Sequence, residues 1–181
     1  MGFSRLSCSA KISTYSTLTM DLDQQIQALI ENAPQDGSTP DIIKAIAPGL
    51  KLLAAQLVHL QYFVLTSVDQ NWVLTTLGNV DNPDLQKQVI YAFSSLDDAS
   101  VHSTIDISTS VVAVPVPVIH ILFQAIAIPQ LDSFIFFDQP GHLDAATEVK
   151  RQDVQDTIQV YLQQYQSLRR SKSRPIPPDI A

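Results

Sequence analysis

The side chains best suited to chemistry in this 181-residue chain are four histidines, His59, His102, His120 and His142, and eighteen carboxylates. Asp138 and His142 flank a turn after the apolar, strand-like segment Leu131–Phe137. Strand ends in mixed sheets are where ligands bind, and an Asp–His pair there can exchange protons. The plainer reading has Asp138 close its own turn by an Asx hydrogen bond, with Pro140-Gly141 setting the geometry and Gly141 left-handed. His120 and Gln124 stand four apart in the apolar segment VIHILFQAIA, so they share one helical face. They either line a cleft or form the solvent-facing stripe of a half-buried helix, and the stripe is the commoner arrangement. Asp138, His142, His120 and Gln124 are the candidate ligand-binding residues.

Other chemistries lack their patterns. The histidines are scattered, with no H-x-x-x-H or H-E-x-x-H spacing, and Cys8 is the single cysteine, so no metal site and no disulfide is expected. Ser94, Ser95, Asp97 and Asp98 could form a nucleophile constellation, but no G-x-S-x-G elbow supports it. Asp97-Asp98 more simply favours the N-terminus of a short helix. Only five glycines occur, and no Gly-rich phosphate cradle is present. No catalytic residue and no cofactor is expected, and the reading leans away from an enzyme.

Charge is unevenly spread. Residues 1–19 carry +2, residues 20–168 carry −12, and residues 169–181 carry +3, for a net of −7. A body at −12 repels phosphate backbones, so nucleic acid is not an expected partner. The basic cluster Arg169, Arg170, Lys172 and Arg174 is the candidate partner-binding segment. No apolar run reaches 18 residues, so stable membrane insertion is not expected.

The elements that must position these residues follow from periodicity. Residues 1–19 hold eight Ser/Thr, two cations and no acid, which suits a transit peptide, or a disordered leader, or an over-extended start with Met20 as the initiator. Residues 20–168 read as a single α+β domain, and residues 169–181 as a basic, Pro-rich tail. Asp21 and Gln24 form a capping box ahead of Leu22, Ile26, Leu29 and Ile30 on one helical face. A second helix opens at Ser38-Thr39-Pro40 with Pro40 in the first helical position. Its stripe runs Ile42, Ile43, Ile46, Leu50, Leu53, Leu57 and Leu60, and Pro48-Gly49 should kink or split it.

Gln61–Val68, Trp72–Leu77 and Lys87–Phe93 read as a three-stranded antiparallel meander, with Asp69-Gln70-Asn71 and Asn82-Pro83-Asp84 between the strands. A short helix at Ser95–Val101 follows. Val111–Val116 is a strand with Pro115 inside it, so it is an edge strand or Pro115 marks a strand end. A helix starts at Pro117 and runs through Ala127, and Leu131–Phe137 is central because it is apolar on both faces. The last helix begins at Arg151 and ends near Arg170. Its stripe is Val154, Ile158, Tyr161, Leu162, Tyr165 and Leu168, and its glutamine-rich face leaves a homo-oligomer open. The fold class is α+β: an N-terminal helical pair, an antiparallel meander extended by β-α-β, and a C-terminal helix.

The segments KQVIYAFSSLDDAS, AVPVPVIHILFQAIA and LDSFIFFDQPG have a further order in common: a strand ending in Phe-Ser-Ser, a short acidic helix, an apolar helix, and a strand closing in Pro-Gly. Residues 60–142 thereby resemble the SseB N-terminal type of α+β domain, with Asp138-Gln139-Pro140-Gly141 in place of its NPG-like segment. The body from Met20 also resembles a conserved cyanobacterial protein family of unknown function, on ENAPQDGSTPDIIKAIAPGLKLLAAQL and VPVIHILFQ. The resemblance implies an α+β fold and a cytoplasmic setting, and it supplies no catalytic residue. The function expected is non-enzymatic binding or regulation of a protein partner. The alternatives are a small-ligand binder or enzyme at the Asp138/His142 strand end, and a membrane-peripheral assembly factor held by the tail.

Overall fold

The computed structural model describes residues 20–78, 86–106 and 111–172. The expectations for residues 1–19, the Asn82-Pro83-Asp84 loop and the segment from 173 onward, Arg174 included, lie outside the described residues, as does the side chain of Lys172.

Helix α1 spans Leu22–Glu31, and both halves of the capping box form. The Gln24 N–H donates to Asp21 Oδ1 at 2.8 Å, and the Asp21 N–H donates to Gln24 Oε1 at 3.0 Å. Helix α2 spans Thr39–Ala54, with Pro40 in its first turn, one position later than expected. Ser38 stands at the N-cap without a side-chain cap bond, and Asp36 supplies it instead. Its carboxylate accepts from the Thr39 hydroxyl at 2.6 Å, the Thr39 N–H at 2.7 Å and the Ser38 N–H at 2.9 Å. These bonds, those from Thr39 foremost, hold the Asp36 carboxyl well below the usual carboxylate range.

A carboxyl lowered in the folded state stabilises fully above its unfolded value, and that contribution is lost as pH falls through the folded one. Asp36→Ala is therefore expected to melt below the wild type at neutral pH. Thermal melts of the two proteins should converge as the pH is taken well below 4. Melting curves that stay parallel at every pH would show that Asp36 does not cap α2.

Of the kink or split expected at Pro48-Gly49, the split does not occur, since α2 is continuous through it. Burial of Ile46, Ala47, Leu50 and Leu53 outweighs the single helical hydrogen bond that Pro48 cannot make. The stripe ends at Ala54, and Ile42 at its start is exposed.

The sheet has six strands: β1 Gln61–Ser67, β2 Thr75–Gly78, β3 Gln86–Phe93, β4 Val111–Pro117, β5 Ser133–Gln139 and β6 His142–Lys150. Its order is β4-β1-β3-β5-β6, with β2 paired to β3. The three strands of the expected meander are antiparallel, but they do not lie in chain order. β1 and β2 pair with the same edge of β3, at Phe63↔Phe93 and Thr75↔Val89. Between them the chain makes a short excursion closed by a Thr66↔Trp72 bridge, with Gln70 at φ 63 in its turn. β3 and β5 are parallel, and the other pairings are antiparallel.

β4 is an edge, as its proline predicts. The Val118 N–H donates to Leu60 O at 3.0 Å, so even-numbered amides face β1. The odd-numbered Pro115 and Pro117 then fall on the free side, where they remove two donors that another strand would use.

Strand β6 has no counterpart in the sequence reading. It covers the outer edge of β5, its residues are half or fully exposed, and Lys87 pairs with Glu148 on it. That ion pair lowers the Glu148 carboxyl.

Helix α3 runs Leu96–Asp106, longer than expected. Its first turn is closed by Ser95, whose hydroxyl donates to Asp98 Oδ2 at 2.7 Å and accepts from the Asp98 N–H at 3.1 Å. Helix α4 spans Val118–Ala127 after Pro117, and α5 spans Arg151–Lys172, so residues 169–172 of the expected tail are helical.

The alternation of β strands divides the core in two. Tyr62, Val64, Ile90, Phe134 and Phe136 pack under α1, α2, α4 and α5, while Leu65, Phe93 and Phe137 pack with Ala99 of α3. β5 contributes to both, which explains its continuous apolar run and its interior place.

Candidate functional site

Three places hold the residues singled out by sequence. At the end of β5, Asp138 and His142 do not meet. Gln139 pairs with His142 across the two-residue turn Pro140-Gly141, and the exposed His142 ring lies 3.8 Å from Asp144. A bulge between Phe137 and Gln139 takes Asp138 out of register with that turn. Its Oδ2 accepts from the Thr147 hydroxyl at 3.0 Å, and its carbonyl accepts from His59 Nε2 at 2.8 Å. Asp138 therefore does not close its own turn. Asp98 does so from α3, accepting from the Gly141 N–H at 2.9 Å. His59, scattered in sequence, is the histidine that the fold brings to this strand end, and it bonds main chain rather than carboxylate. Ser95 and Asp98 are accounted for by the α3 cap.

Gly141 has φ +75, with nothing within 4 Å of an added Cβ. Gly141→Ala thus meets only backbone strain, and is expected to cost about 1 kcal/mol. Urea melts with an unchanged m-value check this.

The second place is a cleft of about 440 Å³ bounded by α1, the turn after it, the start of α2 and the start of α4. Ala28, Leu29, Ile43 and Phe123 supply apolar wall, and His120 and Gln124 supply one polar wall. His120 and Gln124 are not a solvent-facing stripe. They share a helical face as expected, but α1 and its following turn cover it, so the pair lines a cleft. Gln124 Nε2 lies 3.3 Å from His120 Nε2. Burial lowers the His120 pKa, disfavouring the charged ring. The Trp72 ring stands 6.1 Å from the His120 ring.

Gln25, which sequence reasoning passed over, anchors this cleft. It is 4% exposed. Its Nε2 donates to Met20 O and Leu60 O, both at 2.9 Å, and its Oε1 accepts from the Ile119 N–H at 3.0 Å. It thereby ties the start of α1 to the start of β1 and caps α4 from outside. The signal was present: Gln25 falls on the same helical face as Leu22, Ile26 and Leu29.

The third place is a groove of about 460 Å³ between the start of α2 and the end of α5. Ile42, Leu162 and Tyr165 line it, with Arg169 and Arg170 at its end. The Arg169 guanidinium sits over the Tyr165 ring, 5.4 Å from its centroid. Val154 and Ile158 of the α5 stripe are buried, while Leu168 is 62% exposed.

Among the described residues, no cluster of three or more His, Cys, Asp or Glu is arranged to hold a metal ion, and no helix is long and apolar enough to cross a membrane. No family model, curated protein or solved structure matches the chain.

Proposed function

We propose that the protein is a non-enzymatic, protein-binding module whose α2–α5 groove takes an acidic segment of another protein carrying a large apolar side chain. One observation carries this reading: an apolar floor of Ile42, Leu162 and Tyr165 ends in Arg169 and Arg170, at the basic end of an otherwise acidic body. The apolar side chain fills the groove, and Arg170 pairs with a flanking carboxylate beside the Arg169–Tyr165 stack. The −12 body steers such a segment toward this end and away from the rest of the surface. The Asp138/His142 reading is the less favoured one, because those two side chains make separate contacts, Asp138 with Thr147 and His142 near Asp144.

The test is fluorescence anisotropy with three labelled peptides: an acidic one carrying Leu and Phe, the same peptide with both changed to Ser, and a Lys-for-Glu version. Only the first should bind, more weakly at higher salt, and Arg169→Glu/Arg170→Glu should remove at least tenfold of its affinity. Binding of the Ser version with equal affinity, or no effect of the charge reversal, would overturn the reading.

A further inference from the structure

Independently of that groove, we propose that the α1–α4 cleft is a binding site for a small, uncharged, largely apolar molecule bearing a hydrogen-bond acceptor, seated against His120. The volume of about 440 Å³ lies within the range of small-molecule sites. The apolar wall rewards removal of hydrocarbon or aromatic surface from water.

The polar groups narrow the class. Gln25 offers nothing to a ligand as a donor, because both protons of its Nε2 are already donated to main-chain carbonyls. The Thr39 hydroxyl proton is donated to Asp36. His120 is different. Its Nε2 accepts from the Gln124 amide, which places the ring's single proton on Nδ1. That N–H has no hydrogen-bond partner among the described residues. A half-buried donor without a partner, on a residue that lines a largely apolar cleft, selects an acceptor, such as a ketone, ester or ring nitrogen. No Lys, Arg, Asp or Glu is among the described residues that line the cleft, so neither an anion nor a cation finds its counter-charge there.

The sole tryptophan, Trp72, lies beside His120 and reports on occupancy. The full chain is titrated at neutral pH with 6-propionyl-2-(dimethylamino)naphthalene, a neutral naphthyl ketone whose emission shifts to the blue in apolar surroundings. A saturable one-to-one shift with a matching change in Trp72 emission is expected. In competition, 2-acetylnaphthalene should displace the probe about tenfold better than 2-ethylnaphthalene, the difference of one hydrogen bond. The anion 2-naphthoate should be weaker still.

His120→Leu should remove the preference for ketone over hydrocarbon while leaving the hydrocarbon bound. Ala28→Phe, which fills the cleft from α1, should abolish binding of the probe and of all three competitors, with folding checked by circular dichroism. The proposal is overturned by the absence of saturable binding, by equal competition from ketone and hydrocarbon, by preferred binding of naphthoate, or by undiminished binding to folded Ala28→Phe protein.

Discussion

Gln25→Met is expected to destabilise the protein by about 3 kcal/mol, and at this chain length to lower the melting temperature by roughly 6–12 °C. Methionine keeps the volume and the straight-chain shape, so packing changes little. What is lost is three hydrogen bonds, to Met20 O, Leu60 O and the Ile119 N–H. Ile119 is fully buried, and its amide lies in the first turn of α4, where no helical partner exists. An unsatisfied buried amide costs more than the net value of one bond, which is why a substitution conserving size still has a large effect. Urea denaturation followed by circular dichroism measures it. A loss below about 0.5 kcal/mol would show that water replaces the amide and that Gln25 does not hold the α1–β1–α4 junction.

Gly49→Ala is expected to cost about 2 kcal/mol, against the usual gain of up to about 1 kcal/mol from replacing glycine in a helix. An added Cβ would lie 2.8 Å from Cδ2 and 3.0 Å from Cε2 of the Tyr161 ring, and 3.2 Å from Cγ2 of Thr157. Both neighbours belong to α5, so the methyl group would push the two longest helices apart. The sign of the effect provides the test. In a Tyr161→Ala background the two closest contacts are gone and only the Thr157 methyl at 3.2 Å must give, so Gly49→Ala should become stabilising by helix propensity. A double-mutant cycle on thermal or urea melts measures this coupling, and the same sign in both backgrounds would show that α2 and α5 accommodate the methyl group freely.

Much of the local structure was legible in the sequence, for identifiable reasons. The Asp21–Gln24 capping box, the start of α4 after Pro117 and the left-handed Gly141 each depend on residues within a few positions of one another. The strands Gln61–Ser67 and Ser133–Gln139 announced themselves by β-branched and aromatic runs, and β4 by a proline that only an edge tolerates. β6 stayed hidden because HLDAATEVK lies on an exposed edge and carries no apolar run. Pro48 read as a kink or split, since its cost is local while the burial that outweighs it comes from distant elements packed on α2.

The candidate site divides in the same way. By itself the sequence determined that His120 and Gln124 share a helix face, that Arg169 and Arg170 end a helix on an acidic body, and that the fold is α+β. Tertiary structure alone decided what each face meets. It laid α1 over the His120–Gln124 face and turned a stripe into a cleft, and it gave Asp138 to Thr147 and the Gly141 turn to Asp98. It also joined Gln25 to an amide 94 positions away. Helical and strand periods record which side of an element is buried, because burial repeats with the backbone. They carry no record of the partner, since one amide or carboxylate satisfies a buried polar group as well as another until packing brings a particular one within reach.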